Sequence, residues 1–417
     1  MHDARMEARI REKNFSDEIT FFSIDQVHDC DQAIRKADLV IGMVPDTVLL
    51  QVADSCIKHR KTLISPARLT RQMAEKKTQA KNNDVLILMD CGFTPGLDHI
   101  IAKKAIDNIH SKGGKITSFK TYSGSFSTEA SPDNPCGFKL MEPLGDLLNL
   151  GKHHNRHLLN GQLQHIPYHR LFERSESIQI RNLENMKAIP EGDSLYYRKI
   201  YDLTNAHTVV KNKLAPDGFV RLWDLLIKTG LTDNHLKIDL NGERSFYKLL
   251  ESYLPYSESA SLEQRLQHYL QAGMEEIEKF RWLGLLDTSW PESFEETTPA
   301  MVLQHLLLGK LSPHPDDKDL LVMEHRLEYE FRGDCYEFSA TFISQGENQQ
   351  DSALARAIGF TSGAACRAVL EGLIKTKGLH IPILKEIYDP ILNELSDLGV
   401  AFHVEDRRVN VPHAAEG

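Results

Sequence analysis

Apolar and polar positions follow two different rhythms along this chain, and the rhythm changes twice. Leu39-Val-Ile-Gly-Met-Val44, Thr62-Leu-Ile-Ser65 and Val85-Leu-Ile-Leu-Met89 are short apolar runs. Such runs suit strands of a parallel sheet, which helices cover on both faces. Between them, Cys30–Lys36, Val48–Ile57 and a stretch ending near Lys81 carry helical spacing. Glu18–Ile24, with β-branched and aromatic residues, reads as a short strand ahead of this series. A βαβαβ run with right-handed crossovers predicts a doubly wound sheet. Lys115–Tyr122 reads as a strand opening a second domain, with further short strands at His165–His169 and Glu176–Ile180. Phe219–Gly230, Leu262–Leu270, Met274–Leu283 and Met301–Leu308 then repeat at helical spacing. Period two returns in Asp319–Phe331 and Tyr336–Ile343, which flank Arg332-Gly-Asp334 and predict a hairpin. Ala353–Ile374 reads as a long amphipathic helix or helix pair, and Ile387–Leu395 as a last helix.

The predicted class is α/β in three parts. A partial Rossmann-type parallel sheet occupies 18–98 and is completed by 376–417. A mixed α/β second domain is built from 99–218 and 312–375, and a helical module fills 219–311. The chain has no internal repeat and no low-complexity tract.

The Val85–Met89 run leads into Asp90-Cys-Gly-Phe-Thr-Pro-Gly-Leu-Asp-His99. Gly92, Pro95 and Gly96 permit a sharp reversal at the carboxyl end of that strand, where open α/β sheets bind their ligands. Asp98 is placed to cap a helix continuing through Ile100–Ile109. By position alone, Pro45 and Gly92 are also what any α/β turn contains, and Asp98 and His99 are also an ordinary helix cap and first-turn residue.

Composition narrows the function classes. The net charge of −10 argues against a broad nucleic-acid-binding surface. No apolar run has the length of a membrane span and the first residues lack a signal-peptide core, so residence in the cytoplasm is expected. The six cysteines are dispersed without a CxxC pair and read as reduced thiols. His153, His154, His157, His165 and His169 cluster in sequence, but their spacing matches no metal motif and no metal is expected. No G-x-S-x-G elbow is present to suggest a serine hydrolase.

Gly92-Phe-Thr-Pro-Gly-Leu-Asp-His99 resembles the Gly-Leu-Asp-Pro-Gly-Ile-Asp-His segment of saccharopine dehydrogenases of the glutamate-forming, saccharopine reductase type. Gly113–Gly124, Asp133–Lys139, Asp193-Ser194 and Lys377–Leu392 recur in the same order, so the resemblance runs from about Ala37 onward. It implies an NADP(H)-dependent oxidoreductase of the lysine aminoadipate pathway, interconverting saccharopine with glutamate and aminoadipate semialdehyde. The implied partners are a small amino-acid substrate and a second copy of the chain, as a homodimer through the second domain. The nicotinamide end of the cofactor would lie at Met43, Pro45, Ser65, Gly92, Phe93 and Thr94. Ala67, Thr94, Ser123, Gly192 and Lys213 fall at positions that face substrate in that family.

Several of these positions depart from the family pattern. Pro66-Ala67 stands where the family has Ser-Tyr, Thr94 where it has Asp, and Tyr122-Ser-Gly-Ser125 where it has Tyr-Cys-Gly-Gly. Gly192 takes the place of an arginine, and Lys213-Leu-Ala215 of Thr-Leu-Arg. Each change removes a donor, an acid or a charge. Arg68 and Lys213 are candidate replacement cations, although a lysine does not reproduce a bidentate guanidinium. No residue is assigned as catalytic. No GxGxxG turn precedes Ile24, so the sequence reads as starting inside the nucleotide-binding domain, and NADP(H) binding is expected to be weak. Two readings stay open: an impaired oxidoreductase, or a non-catalytic homologue that keeps the fold for binding or assembly.

Overall fold

A computed structural model describes residues 27–128, 134–141, 144–149, 155–238, 244–291 and 297–409. The strand expected at Glu18–Ile24, and His153 and His154, lie outside the described residues. The packing divides the chain into two units, Met1–Lys104 with Ala357–Val400 and Ala105–Arg356 with Ala401–Gly417.

The first unit contains α1 (Val27–Lys36), β1 (Leu39–Ile41), α2 (Asp46–His59), β2 (Thr62–Ile64), α3 (Arg71–Ala74), α4 (Lys77–Asn82) and β3 (Leu86–Leu88), followed by the start of α5 (Leu97–Ser111). Among the described residues its sheet has four parallel strands in the order β1, β2, β3, β12, where β12 is Gly378–His380. Leu63 pairs with Ile87, and Leu379 lies on the other side of Ile87. Leu86, Ile87 and Leu88 are each at most 1% exposed, so each contributes about 1.5–3 kcal/mol of apolar burial. Local chemistry sets the helix ends. Arg60 takes φ 54° to close α2, and Thr70 Oγ1 accepts the Met73 amide to start α3.

Among the described residues the second unit is built on a nine-stranded sheet. Its strands are β4 (Lys115–Ser127), β5 (Asn155–Leu159), β6 (Gln162–Ile166), β7 (Glu176–Ile180), β8 (Leu183–Pro190), β9 (Thr208–Pro216), β10 (Asp319–Phe331), β11 (Asp334–Gln345) and β13 (His403–Val409), with the short helices α6 (Leu144–Asn149) and α7 (Leu195–Ile200) between them. The main path runs β13, β11, β10, β4, β9, β5, β6, and the β7–β8 pair joins through β9. β4 and β9 are the one parallel pair among its described strands. The expected hairpin is β10–β11, turned by Arg332 at φ 53° and Gly333 at φ 85°. Two consecutive positive φ values give the turn whose twist matches a hairpin.

Among the described residues of 217–311, α8 (Asp217–Lys228), α9 (Phe246–Ser252), α10 (Leu262–Leu270), α11 (Met274–Leu283) and α12 (Pro299–Leu311) are helical, as their spacing predicts. They close around Trp223, which stacks on Phe219 at 5.3 Å between centroids and 16° between planes. Ser261 and Gln264 form a capping box at the start of α10. The 353–374 pattern gives α13 (Ala353–Leu370), and the 387–395 pattern gives α14 (Lys385–Asp397).

The tail 376–417 departs from expectation. Its start, β12, extends the parallel sheet, but β13 pairs antiparallel with β11, from Cys335↔Val409 to Thr341↔His403. The reason is composition: His-Val-Glu-Asp-Arg-Arg-Val is exposed at every position, whereas a parallel sheet covered on both faces demands apolar residues throughout. Arg407 instead pairs with Glu337 at 2.9 Å, Arg408 with Asp334 at 2.5 Å, and the Tyr329 hydroxyl donates to Asp406 at 2.8 Å. Among the described residues no helix is long and apolar enough to cross a membrane.

Candidate active site

In the first unit β1, β2 and β3 are parallel neighbours, so their carboxyl ends lie side by side. Ser65 is fully buried, and its Oγ donates to the Gly42 carbonyl at 2.6 Å and accepts the Ala67 amide at 3.1 Å. It therefore fastens the end of β1 to the end of β2 and leads the chain into Pro66–Leu69. A Cβ at Gly42 would lie 2.4 Å from Leu49 Cδ1, so Leu49 packs directly over this glycine. The next residue, Met43, is 55% exposed, and Pro45 leads into α2, which has no side-chain cap. Its first amide groups are left for solvent or a ligand.

The loop after β3 is fixed from within. Asp90 sits at φ 58°, and its amide donates to the Ala67 carbonyl at 3.1 Å. Its Oδ1 accepts the Leu69 amide at 2.6 Å, and its Oδ2 lies 3.3 Å from His99 Nε2. Both side chains are almost fully buried, at 3% and 1% exposure. Asp98 Oδ1 accepts the amides of Gly96 and His99 at 2.6 and 2.8 Å, so this carboxylate serves the first turn of α5 as its position suggested. Gly92 donates to the Pro95 carbonyl and accepts from Leu97, both near 3 Å. Phe93 is buried, while Thr94 and Pro95 are half-buried. Gly96 must be glycine: at φ 145° an added Cβ would sit 2.2 Å from the Gly92 carbonyl oxygen. Burial, with Asp90 and Cys366 adding to it, raises the Cys91 thiol well above its ordinary range, so it is no thiolate nucleophile at neutral pH.

In the second unit, β4 and β9 lie side by side with Thr121 opposite Lys211 and Ser123 opposite Lys213. The period-two alternation of a strand puts Ser123, Ser125 and Ser127 on one face, with Lys211, Lys213 and Ala215 beside them. Tyr122, from the other face, packs in the cluster with Phe126 and Leu214, and burial pushes its hydroxyl up to about 12. Gly192 follows β8 at φ 65°, donates to Asn155 Oδ1 at 2.8 Å and accepts the Arg156 amide at 3.0 Å. Arg156 holds Asp193 in a two-point pair, Nε to Oδ1 at 2.8 Å and Nη2 to Oδ2 at 2.7 Å. Next to it, Lys211 Nζ lies 3.1 Å from Glu191. Among the described residues no group of three or more His, Cys, Asp or Glu could hold a metal ion.

The family model for the saccharopine dehydrogenase C-terminal domain matches residues 92–400. The chain belongs to that family. It is 28% identical over 381 residues to the mitochondrial alpha-aminoadipic semialdehyde synthase of Rattus norvegicus, covering 89% of this chain and 41% of that protein. The chain therefore spans about two-fifths of the length of that relative. It is 24% identical over 389 residues to saccharopine dehydrogenase [NADP(+), L-glutamate-forming] of Saccharomyces cerevisiae, covering 90% of this chain and 86% of that protein. The apo histidine-tagged saccharopine dehydrogenase (L-Glu forming) from the same yeast has the same fold, with a TM-score of 0.85 and 22% identity over 97% of this chain and 92% of that one.

The structure groups the sequence-derived positions in two sets, each within its own unit. Met43, Pro45, Ser65, Ala67, Gly92, Phe93 and Thr94 follow the ends of adjacent strands β1, β2 and β3. Ser123 and Lys213 are cross-strand neighbours, and Gly192 adjoins Glu191, whose amide donates to the Lys211 carbonyl. The Ser65 hydroxyl is spent on holding the backbone. Three features escape sequence reading: the Asp90–His99 contact, the Arg156–Asp193 pair and the buried hydroxyl of Ser125. Asp90 leaves a signal, as a carboxylate directly after a buried strand and before a glycine turn, and Asp193 lies in a recurring motif, but neither signal reveals its partner.

Proposed function

We propose that the chain is an NADP(H)-dependent oxidoreductase acting on the CH–NH bond of saccharopine, interconverting it with glutamate and aminoadipate semialdehyde. The observation that carries this reading is the family match over residues 92–400, which takes in both the Gly92–His99 turn and the β4–β9 face. When bound, the nicotinamide supplies or accepts the hydride. These strand ends fit its ring: Met43 is exposed, Gly42 presents no side chain, and α2 starts without a capping side chain. Met43, Pro45, Ser65, Gly92, Phe93 and Thr94 are the residues assigned to it, Ser65 by shaping the backbone. Ala67, Thr94, Ser123, Gly192 and Lys213 are assigned to the substrate. Arg156 offers a planar donor pair for a carboxylate that displaces Asp193.

Binding of NADP(H) by these residues alone is proposed to be weak, because Met43, Pro45, Ser65, Gly92, Phe93 and Thr94 include no cation to meet a pyrophosphate. Two or three missing charge-assisted hydrogen bonds at ~1.5–3 kcal/mol each lower affinity by at least ~100-fold. A second reading, binding without turnover, is favoured by one feature: the guanidinium at the Gly192 turn is already engaged by Asp193. The test pairs calorimetric titration with NADPH and a saccharopine-dependent NADP(+) reduction assay. Slow, saccharopine-dependent reduction is expected; its complete absence at millimolar saccharopine and saturating NADP(+) would leave the second reading. The same proposal includes homodimerisation through the second unit and residence in the cytoplasm, checked by light scattering and cell fractionation.

A further inference from the structure

Two cations on the Ser123 face of the second unit's sheet already carry carboxylates of the chain's own. Leu158 pairs with Val209 and Thr121 with Lys211, so strand alternation puts Arg156, Lys211 and Ser123 on one face. Glu191-Gly-Asp193 threads between β5 and β9: the Glu191 amide donates to the Lys211 carbonyl at 2.9 Å and the Arg156 amide to the Gly192 carbonyl at 3.0 Å. Its two acids engage one cation on each strand. Asp193 accepts from Arg156 at 2.7 and 2.8 Å, and Glu191 Oε2 lies 3.1 Å from Lys211 Nζ.

The backbone of this segment is held by both strands, and the Gly192 amide adds a bond to Asn155 Oδ1. Any exchange of partners is therefore a matter of side chains. The Arg156 and Asp193 side chains are 40% and 37% exposed, within reach of a solute, and an added Cβ at Gly192 would meet nothing within 4 Å, so there is room beside the pair. Lys211 is only 8% exposed. A nearly buried ammonium without a carboxylate is costly, and Glu191 supplies one when no ligand is bound. A ligand with two carboxylates of its own replaces like with like and leaves neither cation bare.

We propose that Glu191 and Asp193 are resident counter-ions that a dicarboxylate displaces, so that Arg156 and Lys211 hold the two carboxylates of one ligand. This deepens the oxidoreductase reading and rests on it for the ligand's being the substrate. The two acids then set affinity by competing with the substrate for its own cations.

The test titrates the full chain with glutarate and with its monoamide, which match in shape and differ by one charge, and follows heat and the Nε–H signal of Arg156 by ¹⁵N NMR. Glutarate is expected to move that signal and to bind at least ~10-fold more tightly than the monoamide, the worth of a charge-assisted hydrogen bond. Asp193→Asn, which keeps an acceptor for the Leu195 amide, and Glu191→Gln should each tighten glutarate by about 2–5-fold, the worth of an ion pair the ligand no longer has to break. A merely structural role for the acids predicts unchanged or weaker binding. Thermal midpoints establish that each variant is folded, and if one is not, the other decides. No glutarate binding, equal binding of the monoamide, or no tightening in a folded variant overturns the proposal. A saccharopine-dependent NADP(+) reduction assay runs in parallel, and KM for saccharopine should fall in both variants. Turnover with unchanged KM overturns the proposal while upholding the oxidoreductase reading. Tightened glutarate binding with no turnover in any variant sinks that reading and leaves the counter-ions' role standing.

Discussion

Asp90→Ala tests whether the loop after β3 is held as its geometry implies. The substitution removes the carboxylate that accepts the Leu69 amide at 2.6 Å and faces His99 Nε2 at 3.3 Å, both contacts lying within a nearly solvent-free site. Hydrogen bonds to a buried carboxylate are worth ~1.5–3 kcal/mol each, so losing both contacts costs on the order of 3–5 kcal/mol. That cost corresponds to a fall of ~2–3.5 decades in an opening equilibrium. Hydrogen exchange followed by mass spectrometry, read at the amides of Ile64 and Leu88, isolates the first unit, which the tryptophans Trp223, Trp282 and Trp290 of the second cannot report. Asp90→Asn keeps an acceptor for Leu69 and should lose less than half as much. The double variant Asp90→Ala/His99→Leu should cost less than the sum of its parts by ~0.5–3 kcal/mol. Less than a tenfold fall in protection for Asp90→Ala, or strict additivity in the double variant, would refute the idea that the two side chains work as one buried contact.

Three further outcomes are expected. Gly96→Ala should abolish the proposed saccharopine turnover and lower the thermal midpoint of the first unit, since its Cβ would overlap the Gly92 carbonyl; an unchanged midpoint by calorimetry would contradict this. Gly192→Arg should fold, at a cost of ~1–2 kcal/mol for the left-handed φ of 65°, because nothing lies within 4 Å of the added Cβ. It should not raise saccharopine turnover, since it leaves cofactor binding unchanged. Asp31 is held well below the ordinary carboxylate range by the Ser55 hydroxyl, then by His59 and Lys58. A depressed folded pKa gives stability that is present above the unfolded value of 3.8 and is lost as pH falls toward the folded one. The difference in melting temperature between the natural chain and Asp31→Asn should therefore shrink as pH drops from 5 through 4 to 3.

Strong periodicity made the α/β class and the helices of 217–311 legible, because each such element buries a repeating apolar stripe. The hairpin was legible for the same reason, helped by Arg332-Gly333 at its turn. β13 was not, since a strand exposed at every position has no apolar rhythm to betray which edge it joins. At the candidate site, sequence indicated the strand ends but not what their side chains do. Ser65 is committed to the Gly42 carbonyl, a contact between residues far apart in the chain. Arg156 and Asp193 are likewise brought together only by the packing of β5 against the turn after β8.

The central place of β4 has a consequence for how this chain comes to be folded. Its parallel neighbour β9 arrives only after β5 to β8, and its antiparallel neighbour β10 only after the helices of 217–311. The Thr128 and Lys318 contact at the end of β4 closes a span of 190 residues. A ribosome must therefore release the chain past Pro216 before one long edge of β4 is covered and past Phe331 before the other is, and rates of folding fall as such long-range pairings accumulate. During that wait Ser123 and Ser125 stand on an open strand edge. Substitutions there should reduce the yield of folded protein in cells more than they reduce the stability of molecules that have already folded, and chaperone supply should decide how much survives.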